Sequence, residues 1–144
     1  MGISVRIQKI SDVKLPSYAH EGDSGMDLYS AVDCVLKPGE IMSVPTGIKI
    51  AVPNGYEAQI RPKSGIALKS GVSVLNTPGT VDAGYRGEVG VILINLGKEN
   101  FVIAKNSKIA QLVVCPVEKA EIIVVDSLDE TSRGEGGFGS TGLN

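Results

Sequence analysis

Chemistry is concentrated where the chain is least able to fold by itself. The stretch RGEGGFGSTGLN, Arg133 to Asn144, carries five glycines, one arginine, one aromatic ring and two hydroxyls. Ordering so bare a backbone costs on the order of 1 to 2 kcal/mol per residue, and something outside the segment must offset that. Backbone N–H groups close on an anion, Arg133 adds a fixed cationic fork, Ser140 and Thr141 add hydroxyls beside Gly139, and Phe138 supplies a flat apolar face. A phosphate-bearing ligand with a planar base matches this set. A disordered tail is the plainer alternative, but a linker has no use for one Arg and one Phe at set points.

Further polar groups sit in loops beside strand ends. Arg61-Pro62-Lys63-Ser64-Gly65 closes a strand and opens the one plausible helix, Ser64 to Ser70, with Ser64 as cap, Ile66, Ala67 and Leu68 packing, and Gly71 closing the C-terminal end. Ser64, the Gly65 N–H and the helix start would face an anion, or they form an ordinary capped helix. In Leu75 to Val89, LNTPGTVDAGYRGEV, the residues Asn76, Pro78 and Gly79 predict a hairpin. Its Asn side chain and open backbone groups at Thr80 and Val81 can read the polar edge of a base. Asp82 at its foot would face a water with the Tyr85 ring against a sugar, or it merely bonds turn amides. Gln111 interrupts an apolar strand, either as a satisfied core amide or as a ligand contact. In AHEGDSGMDLYSA, Ala19 to Ala31, a strand-like run begins at Asp27, while His20, Glu21, Asp23 and Asp27 lack metal-ligand spacing. His20 reads as an exposed loop residue.

The elements that must carry these groups read as all-β. Ile3–Lys9, Ile41–Thr46, Ile48–Val52, Tyr56–Arg61, Val89–Leu96, Phe101–Ala104, Ile109–Val117 and Ala120–Val125 are short and β-branched, with Pro, Gly or Asn between them. A single domain is the default for 144 residues. The composition divides it into a β body over residues 1–129 and a glycine-rich arm over residues 130–144. Val91–Ile94 and Leu112–Cys115 are apolar on both faces, which a second copy or a central position between packed sheets would explain equally. A net charge of -2 without a basic block excludes a general nucleic-acid surface. No apolar stretch is long enough for a membrane span, and Arg6 stands where a myristoylation signal needs Ser or Thr. Cys34 and Cys115 form no C-x-x-C and no signal peptide precedes them, so reduced thiols and a cytoplasmic location are expected.

Taken in order, AHEGDSGMDLYSA, RPKSGIALK, NTPGTVDAGYRGEV, KIAQLVV and RGEGGFGSTG resemble the five motifs of the trimeric dUTP pyrophosphatases, from about Pro16 to Gly142. The resemblance implies a jelly-roll-like β-barrel or sandwich with one short helix, assembled as a homotrimer whose sites are shared between subunits. It implies hydrolysis of dUTP to dUMP and pyrophosphate by water attack on the α-phosphorus, which limits uracil in DNA and supplies dUMP. By the same resemblance Asp82 deprotonates the water, Tyr85 rejects ribose, and Asn76 with the backbone of Thr80 and Val81 recognises uracil. Lys63, Ser64, Gly65 and Gln111 contact phosphates, and Asp27 stands near the metal through water. Arg133 holds the γ-phosphate, Phe138 covers the base, and Gly139, Ser140 and Thr141 wrap the triphosphate. Magnesium is held mainly by the three phosphates, with no dedicated protein ligands.

The chain departs from that pattern at four places, one of them the run Lys105-Asn106-Ser107, which lacks the common Gly-Asp turn. Lys63 and Lys108 replace the usual arginines, exchanging a bidentate fork for a point charge, and Gly84 stands where many relatives carry a second Asp. The rivals are a dCTP deaminase of the same fold, which would need a catalytic Glu and a longer chain, and a non-catalytic nucleotide-binding protein. A P-loop at Gly134 to Ser140 lacks its Lys and any following helix.

Overall fold

The computed structural model describes residues 2–142. Its strands are β1 Arg6–Lys9, β2 Met26–Tyr29, β3 Cys34–Leu36, β4 Ile41–Ala51, β5 Tyr56–Arg61, β6 Val72–Val74, β7 Gly79–Val81, β8 Glu88–Asn95, β9 Phe101–Ile103 and β10 Lys108–Pro116. The one helix, α1, is Ser64–Ser70. One sheet has the order β1-β4-β8-β6, a second β2-β10-β5-β7, and β3 pairs with β9 alone. All pairings are antiparallel. A single apolar core collects Val44, Ile48, Val91 and Leu93 from the first sheet with Leu28, Ile60 and Leu112 from the second. The arrangement is a sandwich of the expected all-β kind and does not close into a barrel. No helix among the described residues is long and apolar enough to cross a membrane.

Two expected strands, Ile41–Thr46 and Ile48–Val52, are one long strand. Pro45 and Gly47 suggested a break, but they form a bulge, with the β4–β8 register shifting between Pro45 and Lys49. A proline lacking its donor is tolerated at a bulge. Gly47 has φ +70, and a Cβ there would run into Ser11 Oγ and come within 2.8 Å of Val13 Cγ1, so glycine is required twice over. The bulge is fastened to the start of β8. The Gly47 N–H donates to Glu88 Oε1 at 2.9 Å, and the Thr46 hydroxyl donates to the Val89 carbonyl at 2.5 Å.

The run Ala120–Val125 is not a strand. It pairs with nothing among the described residues, and Val124 is 92% exposed. Strand propensity describes a paired, half-buried surface, and this segment has neither property here. Sheet pairing ends at Pro116, so the boundary expected at residue 129 falls inside an exposed stretch. Of the three-residue strands, β9 lies within an expected run, whereas β3, β6 and β7 are too short to show a sequence period.

The helix has its expected limits but not its expected cap. Lys63 occupies the N-cap position, no side chain caps it, and Ser64 is the first helical residue. Gly71 closes the far end in the left-handed conformation, as expected. Ile66 packs against the core, whereas Leu68 points into solvent.

The two-sided apolar strands resolve differently from each other. In β8 the residues Val89, Val91 and Leu93 are buried while Ile92 and Ile94 are half-buried, and in β10 both Leu112 and Val113 are buried.

Candidate active site

The structure gathers eight of the expected site residues into two clefts, Asn76, Thr80, Val81, Asp82 and Tyr85 in one and Asp27, Lys63 and Gln111 in the other, and no residue lines both. The first, of about 210 Å³, is lined by Asn76, Gly79, Thr80, Val81, Asp82 and Tyr85 among others. It exists because the chain changes sheets here. β6 bonds β8 in the first sheet, and β7 bonds β5 in the second, with Gln59 opposite Thr80 and Ala58 opposite Val81. The expected hairpin is therefore corrected. The Asn76 to Pro78 turn hands the backbone from one sheet to the other, with a cis Thr77–Pro78 bond, and leaves a slot between them. The Asn76 amide is exposed and has no hydrogen-bond partner among the described residues.

Asp82 heads a turn closed by backbone alone, the Tyr85 N–H donating to the Asp82 carbonyl at 3.0 Å. Its carboxylate is exposed and accepts no hydrogen bond among the described residues, so it does not serve the turn amides. Tyr85 donates its hydroxyl to the Glu88 carbonyl at 2.9 Å, which folds the ring back across its own loop and fixes it at the rim. Arg86 Nη1 donates to the Ala83 and Tyr85 carbonyls at 2.7 and 2.8 Å, stiffening the loop between the carboxylate and the ring. Neither Arg86 nor Glu88 was expected from the sequence, because both act through backbone partners that only the folded loop brings near.

The second cleft, of about 270 Å³, is lined by Asp23, Gly25, Asp27, Lys63, Lys108 and Gln111 with two neighbours. Register explains it. Asp27 lies opposite Gln111 and Gln111 opposite Arg61 across three adjacent strands, so Lys63 just past β5 and Lys108 at the start of β10 converge on Asp27. Lys63 Nζ meets Asp27 Oδ1 at 2.5 Å, and Lys108 Nζ meets Oδ2 at 2.7 Å. Burial pushes the Asp27 pKa up, but hydrogen bonds from Lys108 and Lys63 and their charge together hold it below the ordinary carboxylate value. The hydrogen bond to Asp27 and the charge of that carboxylate in turn raise Lys108 above the usual lysine value.

Gln111 resolves as a positioned amide. Its Nε2 donates to the Pro62 carbonyl at 2.8 Å, which holds the backbone that presents Lys63. A Cβ at Gly25 would strike Gln111 Oε1 and lie 3.1 Å from Cδ, so the glycine keeps that amide in place. Lys108 belongs to this cleft although its sequence position suggested only a replaced arginine. Ser64 and Gly65 are exposed at the helix start and line neither cleft. His20 is exposed, as expected, and its backbone N–H donates to Asp23 Oδ2 at 2.8 Å. No group of three or more His, Cys, Asp or Glu converges as a metal site among the described residues.

The described residues of the glycine-rich arm line neither cleft. Arg133 Nε donates to the Gly136 carbonyl at 2.8 Å, and Ser140 N–H to the Gly137 carbonyl at 3.0 Å. Phe138 lies fully in solvent, with Gly139 in the left-handed region and Thr141 exposed.

One cleft holds an exposed carboxylate and the other two lysines around Asp27, in a chain with well-characterised relatives. The dUTPase family model matches residues 11–142. A deoxyuridine 5'-triphosphate nucleotidohydrolase of Alkaliphilus metalliredigens is 57% identical over 97% of this chain and 98% of its own length. One from Clostridium tetani is 59% identical over 91% of this chain and 90% of its own. Among solved structures, a Staphylococcus bacteriophage 80alpha dUTPase with dUpNHpp superposes with a TM-score of 0.91 at 27% identity, covering 97% of this chain and 99% of that one.

Proposed function

The chain belongs to the dUTPase family and hydrolyses dUTP, and we propose that its two clefts are halves of one active site that is completed between copies of the chain. The observation that carries this reading is their separation. Nucleoside-facing groups line one cleft, phosphate-facing groups the other, and the arm touches neither within a single chain. A homotrimer in which each site draws a cleft from two chains and an arm from a third reunites them. The exposed apolar run Ile122 to Val125 and the half-buried Ile92 and Ile94 are surfaces that such an assembly would cover.

In this reading Asn76 and the backbone of Thr80 and Val81 read the uracil edge. A 5-methyl group finds no room, and the cytosine edge presents the wrong donor pattern. Tyr85 packs against the deoxyribose where a 2'-hydroxyl would have to sit. Asp82 takes a proton from water as the water oxygen bonds the α-phosphorus. The bond from that phosphorus to its bridging oxygen breaks, and the electron pair leaves with pyrophosphate. Lys63 and Lys108, spaced by Asp27, neutralise the leaving charge, while Gln111 holds the Lys63 backbone. Asp27 is a positioning residue here, since both its oxygens already accept lysine protons. Ser64 and Gly65 add a hydroxyl and an N–H at the adjoining helix start.

Residues 130–144 form the closing arm, with Arg133 on the γ-phosphate, Phe138 over the base, and Gly139, Ser140 and Thr141 around the triphosphate. Closure excludes water and strengthens each charge contact. Magnesium enters as the counter-ion of the phosphates, whose oxygens it prefers while retaining waters. Held in that way by the substrate phosphates, it would supply charge neutralisation to the leaving pyrophosphate.

Mixing separately purified chains tests the shared site. Asp82→Asn and the double variant Lys63→Ala with Lys108→Ala should each be inactive. Partially unfolded and reassembled together, they should regain pyrophosphate release from dUTP, because some sites then join two intact halves. No recovery from folded mixtures would place the whole site on one chain. A substrate panel completes the test: dUTP should turn over while UTP, dTTP and dCTP do not, and ammonia release from dCTP would favour a deaminase.

A further inference from the structure

Gly87 lies two residues beyond Tyr85, at the end of the loop that also carries Asp82. Its φ is not in the left-handed region, so its backbone makes no demand for glycine. The demand comes from the Tyr85 ring. A Cβ at position 87 would overlap Tyr85 Oη and lie 2.5 Å from Cζ and 2.9 Å from Cε2, all closer than the 3.0 Å that real Cβ atoms respect. Gly84 in the same loop has nothing within 4 Å of its missing Cβ, so the constraint is particular to one glycine.

The other end of the ring is equally fixed. Tyr85 Oη donates to the Glu88 carbonyl at 2.9 Å. Residue 88 is anchored in turn, its carboxylate accepting from the Gly47 N–H and the next carbonyl from the Thr46 hydroxyl. The ring is thus pinned between a rigid acceptor and a position with no side chain. Any side chain there forces the ring to rotate off the cleft rim and break its hydrogen bond.

We propose that Gly87 is a positioning residue for sugar selection: the space left by its absent side chain is where the Tyr85 ring must lie to exclude a 2'-hydroxyl. This rests on the reading of Tyr85 as the residue that packs against the deoxyribose. The test compares Gly87→Ala, Tyr85→Ala and the double variant by kcat/KM for dUTP and for UTP, with melting temperatures alongside. Gly87→Ala should raise the UTP to dUTP ratio about ten-fold, the scale on which one small group changes discrimination. Tyr85→Ala should raise it as well, and Gly87→Ala should add nothing in the Tyr85→Ala background, since the clashing ring is gone. A ratio that moves with Tyr85→Ala but stays with Gly87→Ala overturns the inference and spares the Tyr85 reading. A ratio indifferent to Tyr85→Ala overturns both. If Gly87→Ala alone fails to fold, the double variant must still melt with Tyr85→Ala; a lower melting temperature would mean that the added methyl offends something other than the ring.

Discussion

At the scale of single residues, the two acidic groups of the site have opposite surroundings and so opposite expectations. Asp82 is exposed and without hydrogen-bond partners among the described residues, so Asp82→Asn should leave the melting temperature unchanged while kcat for dUTP falls by roughly 10²- to 10⁴-fold. Asp27 is buried between two ammonium groups. Asp27→Asn should therefore lower stability by roughly 1 to 3 kcal/mol, less than a fully buried pair because Lys108 is half in water, and it should raise KM as the lysines splay. Because the folded Asp27 pKa is depressed, its stabilising share is complete above the ordinary carboxylate range and is lost as pH falls through the folded value. For Lys108 the folded value is raised, so its share is complete below the ordinary lysine range and is lost as pH rises through the folded value. Melting curves should thus show a steeper loss below about pH 4 in the native protein than in Asp27→Asn.

Loop position alone favours reading Asp82 as a residue bonding turn amides, and the roles expected of Asp82, Tyr85 and Asn76 come with the resemblance to five motifs in order. The role of Lys108 was not legible, since its partner lies on another strand and only the β2–β10 register brings the two together.

At the scale of elements, the sequence marks apolar runs well and their partners poorly. Tyr56–Arg61 and Ser64–Ser70 fell where expected, because alternation and the αL glycine at position 71 are local signals. The β4 bulge was read as a break, since Pro45 and Gly47 look alike in a turn and in a bulge until Glu88 and Thr46 are seen to tie them to β8. Ala120–Val125 was read as a strand on propensity alone, and propensity names no edge to pair with. Gly47→Ala should be among the costlier single changes outside the core, by about 2 kcal/mol or more, measured by denaturant midpoint. Leu68→Ala on the solvent side of α1 should stay within about 0.5 kcal/mol by the same measurement.

At the scale of the whole molecule, one chain folds a complete core but displays an unfinished surface. The core of both sheets is buried within one chain, whereas the apolar run Ile122 to Val125 and most of the described arm lie exposed. Every arm hydrogen bond found is local to the arm, so deleting residues 130–144 should leave the melting temperature within a degree or two. Hydrolysis of dUTP should nevertheless fall by two orders of magnitude or more, because closure supplies orientation and charge; unchanged turnover would remove the arm from the proposal. The function was legible in the sequence through five motifs in order. The division of those motifs between two clefts was not, because spacing along a chain says nothing about which face of a sandwich a loop ends on.

Under the proposed sharing of sites between copies, that division has a consequence for inheritance. A protomer ruined in one cleft spoils sites only in proportion to its abundance, since its other cleft still serves a healthy neighbour. A protomer ruined in both, yet able to assemble, poisons two neighbours at once, so output falls with the square of the sound fraction and the lesion behaves as dominant.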